Sequence, residues 1–371
     1  MKKLVVLLAV VSSTLPASAA RLPILASQDL WPVYAPDGRH VAFTVAQGRM
    51  FQLDVVDAQT KRVSVVGQAA GQLSPTWSTD GRLAYASGGV LRKANARGTG
   101  RYVYPSRTPA YAPAWRPHTE QLAYLTSSGA QNLDLWVGNA LWAKGVIGTP
   151  AWSPDGTRVA FVRDDSVWVA SQPLIEVQLA TTTAQPGVPA WSPDGTRIAY
   201  TAGGRVYTVP ADASAGPTQL AGPFGAVGPP TWAPAGDAVA FTADGNLELA
   251  PVGGAVSVLA KGAGTGASFA PTDPHGRVLA YSAPVPGCPG HLGIGIYGQG
   301  ILAGTCVIAG TRGDDVIEGT SLWGDVIRAG AGDDRIHAND GHTDTISCGP
   351  GRDTVWADRS DKLSGCEIVH R

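Results

Sequence analysis

Charge is scarce in this chain. Only 15% of its 371 residues are Asp, Glu, Lys or Arg, and the formal net charge is −1. A sequence this close to neutral has no overall basic field with which to recruit nucleic acid. No apolar run beyond the N-terminus is long enough to span a bilayer. Helical periodicity is largely missing. So are the short catalytic motifs: there is no Gly-x-Ser-x-Gly elbow, no His-Glu-x-x-His and no P-loop. The stretch Gly293–Gly298 fits G-x-G-x-x-G, but no helix follows it and no βαβ unit surrounds it, so it reads as a strand. Cysteine is limited to Cys288, Cys306, Cys348 and Cys366, with no Cys-x-x-Cys pair to favour zinc. No carboxylate set stands out as catalytic; Glu120, Asp134, Asp164 and Asp165 are candidates only if folding brings them together.

Glycine and proline are plentiful instead, at 47 and 28 residues, which suits many short strands joined by tight turns. The first residues read as a secretory signal. Lys2 and Lys3 supply the positive end, Leu4 to Val11 the apolar core, and Ala17-Ser18-Ala19 a small-residue cleavage site. Residues 1–20 are therefore expected to be removed, which makes the protein secreted, periplasmic or attached to the cell envelope. An even number of cysteines in an exported chain points to disulfides. Of the three possible connectivities, Cys288–Cys306 and Cys348–Cys366 are favoured because each closes a local loop.

The strongest internal signal is a phrase written seven times: an aromatic residue, Ser-Pro-Asp-Gly or a variant, then an apolar pair ending in an aromatic. The clearest copies run from Trp152 to Phe161 and from Trp191 to Tyr200. Others start at Tyr34, Trp77, Trp115, Trp232 and Phe269, at steps of 43, 38, 37, 39, 41 and 37 residues. In each copy Pro presets φ, Asp accepts local backbone hydrogen bonds and Gly takes positive φ, which makes a turn between two strands. Two more short strands follow before the next copy. Four antiparallel strands per repeat of this length is the pattern of a propeller blade. The turn residues Asp37, Asp80, Asp155 and Asp194, and the repeated tryptophans, are accounted for by turn shape and blade packing. Arg21 to Leu25 resembles a fourth strand and is expected to complete the last blade and close the ring.

The phrase Pro-x-Trp-Ser-Pro-Asp-Gly-x-x-Ile/Val-Ala-Phe/Tyr resembles the repeat of TolB-like periplasmic propellers and of the propeller domains of some exported peptidases. That resemblance covers about residues 22–300. It implies an all-β propeller at residues 21–303; such propellers often have six blades, whereas the copies here count seven. It also implies that loops on the propeller faces meet protein or cell-envelope partners.

Near residue 304 the repeat shortens to 9 or 10 residues. Gly310 to Ile317, Gly319 to Ile327, Ala329 to Ile336, Ala338 to Ile346 and Cys348 to Val355 each carry an Asp followed two residues later by Ile or Val. Those residues are Asp315, Asp325, Asp334, Asp344 and Asp353, and a degenerate sixth copy ends at Leu363. This resembles the haemolysin-type (RTX) calcium-binding nonapeptide, which folds as a parallel β-roll and binds Ca²⁺ between facing turns. Carried over residue by residue, ions would sit between Asp315 and Asp334 and between Asp334 and Asp353, with Asp314 and Asp333 assisting. Asp325 and Asp344 form a second edge whose loops each hold one inserted residue. From residue 310 onward ten Asp and two Glu face seven Lys and Arg, an excess of five negative charges that a cation would offset. The expectation is thus a propeller followed by a roll at residues 304–371, in an exported monomer that binds calcium and a partner without catalysis. The alternatives are a hydrolase or lyase at the channel mouth and a structural cell-surface protein.

Overall fold

A computed structural model describes residues 27–47, 50–60, 62–69, 75–127, 133–264, 266–273, 278–284, 292–297, 300–303, 307–319 and 324–371. Every regular element among these residues is a β-strand, and none is a helix able to cross a membrane.

The strands come in runs of four. The first run is β1 (Ser27–Tyr34), β2 (His40–Gln47), β3 (Met50–Asp57) and β4 (Val63–Ala69); the second is β5 (Thr76–Trp77), β6 (Arg82–Ser87), β7 (Val90–Asn95) and β8 (Tyr102–Val103). The third and fourth share a strand: β9 (Ala110–Trp115), β10 (Leu122–Ser127), β11 (Leu133–Val137), the shared β12 (Ala140–Trp152), β13 (Val159–Arg163), β14 (Ser166–Gln172) and β15 (Ile175–Thr181). The fifth is β16 (Ala190–Trp191), β17 (Arg197–Ala202), β18 (Arg205–Pro210) and β19 (Thr218–Ala221), and the sixth β20 (Thr231–Trp232), β21 (Ala238–Ala243), β22 (Asn246–Pro251) and β23 (Ser257–Lys261). The last is β24 (Ala267–Phe269), β25 (Leu279–Pro284), β26 (Leu292–Ile296) and β27 (Gly300–Ala303). Neighbours within each run are antiparallel.

Seven separate four-stranded blades are not what the hydrogen bonding draws. Only the second, fifth and sixth runs stand as separate four-stranded sheets. The third and fourth merge into a seven-stranded sheet because β12 continues unbroken from the edge of one into the first strand of the next. The first and last merge because β1 pairs in parallel with β26, Gln28 opposite Leu292. The ring is therefore tied by the first strand of the propeller. Arg21 to Leu25, expected to make this closure, lies outside the described residues.

The inner strands touch in a closed cycle: β1 meets β5, then β9, β12, β16, β20 and β24 in turn, and β24 returns to β1. That cycle makes the arrangement propeller-like. The second strand of each run is sandwiched between neighbours, so it is apolar on both faces. Val159 and Phe161 of β13 pack against Leu135 and Trp152, while the intervening Ala160 packs against Ile198 and Tyr200 of the following run. A small residue on one face and large ones on the other lets adjacent sheets approach closely.

Four of the five repeated tryptophans, all but Trp115, pin these contacts. Trp77 Nε1 donates to Val33 O at 3.0 Å, Trp152 to Ala114 O at 3.2 Å, Trp191 to Ala151 O at 2.9 Å and Trp232 to Ala190 O at 3.0 Å. Each indole thus satisfies a carbonyl of the preceding run while burying its ring. The Asp-Gly turns are equally local in purpose. Ser153 Oγ donates to Asp155 Oδ1 at 2.5 Å and accepts from Arg158 N at 2.9 Å, and Thr157 N donates to Asp155 Oδ1 at 3.0 Å. The bond to Ser153 Oγ and that amide lower the pKa of Asp155 to about 2.

The C-terminal segment is built differently. Its strands are β28 (Val307–Ala309), β29 (Val316–Glu318), β30 (Val326–Arg328), β31 (Arg335–Ala338), β32 (Thr345–Ser347), β33 (Thr354–Ala357), β34 (Lys362–Ser364) and β35 (Ile368–His370). They form two parallel sheets, β28-β30-β32-β34 and β29-β31-β33-β35, so alternate strands stack on opposite faces of a roll. Ile317, Ile327, Ile336, Ile346 and Val355 fill the thin core between them.

Candidate metal centre

The roll advances 19 residues per full turn over most of its length, which places each Asp beside the one a turn away. Glycine makes the stacking possible. Gly349 has φ 103° and Gly351 has φ 152°, and a Cβ at either would lie within 2 Å of the carbonyl oxygen of Gly330 or Gly332. The turns are therefore packed backbone on backbone, which leaves each aspartate pointing along the stack.

Two carboxylate ladders result. On one edge Asp315 N donates to Asp334 Oδ1 at 2.8 Å, Asp334 N to Asp353 Oδ1 at 2.9 Å, and Asp353 N to Glu367 Oε2 at 2.8 Å. On the other, Asp325 N donates to Asp344 Oδ1 at 2.6 Å and Asp344 N to Asp361 Oδ1 at 2.9 Å. Asp334, Asp344 and Asp353 are at most 1% exposed. Asp314 and Asp333 are exposed on the outside: Asp314 Oδ1 accepts from Asp333 N and Asp333 Oδ1 from Arg352 N, so they clip successive turns together.

One oxygen of each inner carboxylate is thus used by the backbone. The other is not: Oδ2 of Asp334, Asp344 and Asp353 is buried with no hydrogen-bond partner among the described residues, and so is Oδ2 of Asp340. Leaving an ionised oxygen buried and unpaired is costly. The pKa of Asp344 is pushed up to about 7 by burial first and then by the charges of Asp340, Asp361 and Asp325, opposed by the Asp325 amide. Burial also raises Asp334, with Asp353, Asp315 and Asp314 adding to it and the Asp315 amide opposing.

Asp325, Asp340 and Asp344 bring one carboxylate oxygen each within 4.8 Å of one another. The sequence marks Asp325 and Asp344 by their spacing. Asp340 is not marked, because it lies in the inserted part of the loop; only its position four residues before Asp344 hints at it. Asp361 and Glu367 also escape the pattern, since the last turns are shorter, with separations of 17 and 14 residues. His342 Nδ1 lies 3.4 Å from Asp340 Oδ1, beside this group. His337 points elsewhere and stacks on Trp356 at 4.2 Å, with His370 against the opposite side of the indole at 5.1 Å.

The donor set fits a hard divalent cation. Calcium takes six to eight oxygen ligands from carboxylates and carbonyls, and carboxylate oxygens lacking partners are what it would satisfy. Asp315, Asp334 and Asp353 would serve one edge, and Asp325, Asp340 and Asp344 the other. When bound, the cation would supply the positive charge that stacked carboxylates lack. Cys348–Cys366 is a disulfide with Cα atoms 5.2 Å apart, and it ties the last full turn to the end of the roll. The expected Cys288–Cys306 partners lie outside the described residues. Of the acidic residues considered for catalysis, Glu120 stands apart: it sits in the turn before β10, bound to Arg82 and Lys93, whereas Asp164 and Asp165 lie in the β13–β14 hairpin and Asp134 lies next to the β10–β11 hairpin, at the other end of the strands.

Residues 307–321 and 324–355 match the RTX calcium-binding nonapeptide repeat in four copies. Solved structures match much of the chain. An oligogalacturonate lyase in complex with manganese is 15% identical with TM-score 0.56, covering 71% of this chain and 88% of that one. The Cps50 (Swd1) β-propeller domain of Myceliophteria thermophila is 12% identical with TM-score 0.53, covering 70% and 94%. A protein described as TolB from Agrobacterium tumefaciens is 20% identical with TM-score 0.48, covering 64% and 99%. At these identities the likenesses to the lyase and to the Cps50 domain show the fold alone. A search of curated proteins found no significant match. The chain thus has a propeller-like fold followed by a C-terminal segment that matches the RTX calcium-binding nonapeptide repeat.

Proposed function

We propose that this is an exported, non-catalytic binding protein whose propeller is the interaction platform and whose roll is held in shape by calcium. The observation that carries the calcium reading is the set of buried Oδ2 atoms of Asp334, Asp344 and Asp353, stacked in the roll without hydrogen-bond partners among the described residues. The secretory features of residues 1–20 and the Cys348–Cys366 disulfide support an oxidising location outside the cytoplasm. Support for a platform comes from the propeller-like ring, whose repeated Trp, Ser, Asp and Gly residues are consumed by packing and turns, which leaves its loops to a protein or cell-envelope partner.

Calorimetric titration of the purified exported form with CaCl₂, paired with thermal melting in EGTA, tests the reading. Saturable calcium binding and a chelator-induced drop in the melting of the roll are expected. A roll that melts at the same temperature in calcium and in EGTA rules calcium out as its stabiliser.

A further inference from the structure

At three successive seams between propeller runs an arginine makes a common contact, and the first seam lacks it. Arg158 Nη2 donates to Gly195 O at 2.8 Å, and Arg197 Nη2 donates to Gly236 O at 2.7 Å. Each of these guanidinium groups also lies 4.8 Å from the ring centre of the next run's tryptophan, Trp191 or Trp232. Between the third and fourth runs Arg116 does the same from a different position, with Nε donating to Gly156 O at 2.7 Å. At these three seams an arginine thus closes on the glycine of the following run's turn.

In the first run the residue at the place of Arg158 is His40, which follows Tyr34 as Arg158 follows Trp152. Its ring turns back on its own turn, with Nδ1 2.6 Å from Asp37 Oδ2. A cavity of about 820 Å³ opens at this seam, and both His40 and Gly81, the glycine an arginine would have reached, line it. Arg39, Arg62 and Arg97 line it as well. Asp57 neutralises Arg39 by accepting from Nε at 2.8 Å and from Nη2. Arg62 and Arg97 form no salt bridge among the described residues. In a chain this poor in charge, two uncompensated guanidinium groups facing one cleft call for an anion.

We propose that the cleft between the first and second propeller runs binds a small, multiply charged oxyanion through Arg62 and Arg97, with the hydroxyls of Thr60 and Ser64 at hand to complete its hydrogen bonds. The planar guanidinium fork suits carboxylate and phosphate alike. The volume suits a compact ligand. This rests on reading the propeller as a binding platform and is independent of calcium in the roll.

The test is calorimetric titration of the full exported protein with citrate and, separately, with inorganic phosphate, at low and at moderate salt. Saturable binding of one or both is expected, weakening with salt, and the responding probe tells a carboxylate ligand from a phosphate one. The double variant R62A/R97A should bind about tenfold more weakly or worse. The double lysine variant R62K/R97K should fall between, because it keeps the charge and loses the fork. His40→Arg should also abolish binding, by restoring the closing contact to Gly81, and its melting temperature shows that the propeller stays folded. Absence of saturable binding by both probes overturns the proposal, and so does unchanged affinity in R62A/R97A. Calcium binding measured on the same samples separates failure of the cleft from failure of the protein.

Discussion

Asp54 shows how a single buried charge sets a pH dependence. It is 6% exposed, with Gln52 Nε2 donating to both of its oxygens at 3.0 Å. Burial pushes its pKa up to about 6, and the Gln52 bonds only partly oppose this. A carboxyl raised above its unfolded value supports folding fully below that value, near 4, and the support is lost as pH rises through about 6. Asp54→Asn should therefore gain on the order of 1–3 kcal/mol at pH 8 and little at pH 4, read by urea unfolding at both pH values. Asp344 behaves alike without calcium: Asp344→Asn should raise the melting temperature of the roll in EGTA and lower calcium affinity, measured by melting and titration on one sample. A variant that loses stability in EGTA would mean that this carboxylate is satisfied without a cation. Neither burial is legible in sequence. Asp54 sits in an ordinary alternating strand, and only packing shows it facing inward.

At the scale of the element, two local devices recur. The indole-to-carbonyl bonds join neighbouring runs, and Trp191→Phe should cost about 1–3 kcal/mol, since it leaves the Ala151 carbonyl without its donor; thermal unfolding measures it. The phrase containing Trp191 was readable as a strand and a turn because Pro, Asp and Gly have fixed backbone habits. That the indole would reach the run before it was not readable, because the partner is a main-chain carbonyl about 40 residues away with no side-chain signature. In the roll, Gly349→Ala would place a Cβ 1.8 Å from the Gly330 carbonyl oxygen. That variant should lose cooperative melting of the roll and its calcium binding while keeping the propeller transition. Circular dichroism melts would show it, and an unchanged roll would contradict the stacking.

Across the whole molecule, an antiparallel ring and a parallel roll answer to different conditions. Two unfolding transitions are expected, with calcium removal or disulfide reduction lowering only that of the roll. The pair of substitutions Cys348→Ser and Cys366→Ser opens a loop of 18 residues and should cost the roll about 3 kcal/mol in the chain-entropy model. A single transition shifted as one by EGTA would show that the two parts unfold together.

Repeat length, turn chemistry and the Gly-x-Asp spacing were sufficient to specify an all-β chain and the stacking of Asp315, Asp334 and Asp353. These are local properties: a Pro-Asp-Gly turn, or a glycine that alone tolerates a stacked backbone, acts within a few residues wherever the chain goes. How strands join into sheets was settled only in three dimensions. β12 runs on between two runs although Gly145 and Gly148 take positive φ and Pro150 lies within it, and β1 closes the ring because the edge of β26 is there to receive it. The place of Asp340 beside Asp325 and Asp344 is of the same kind, since a cluster of oxygens exists only after the turns have stacked.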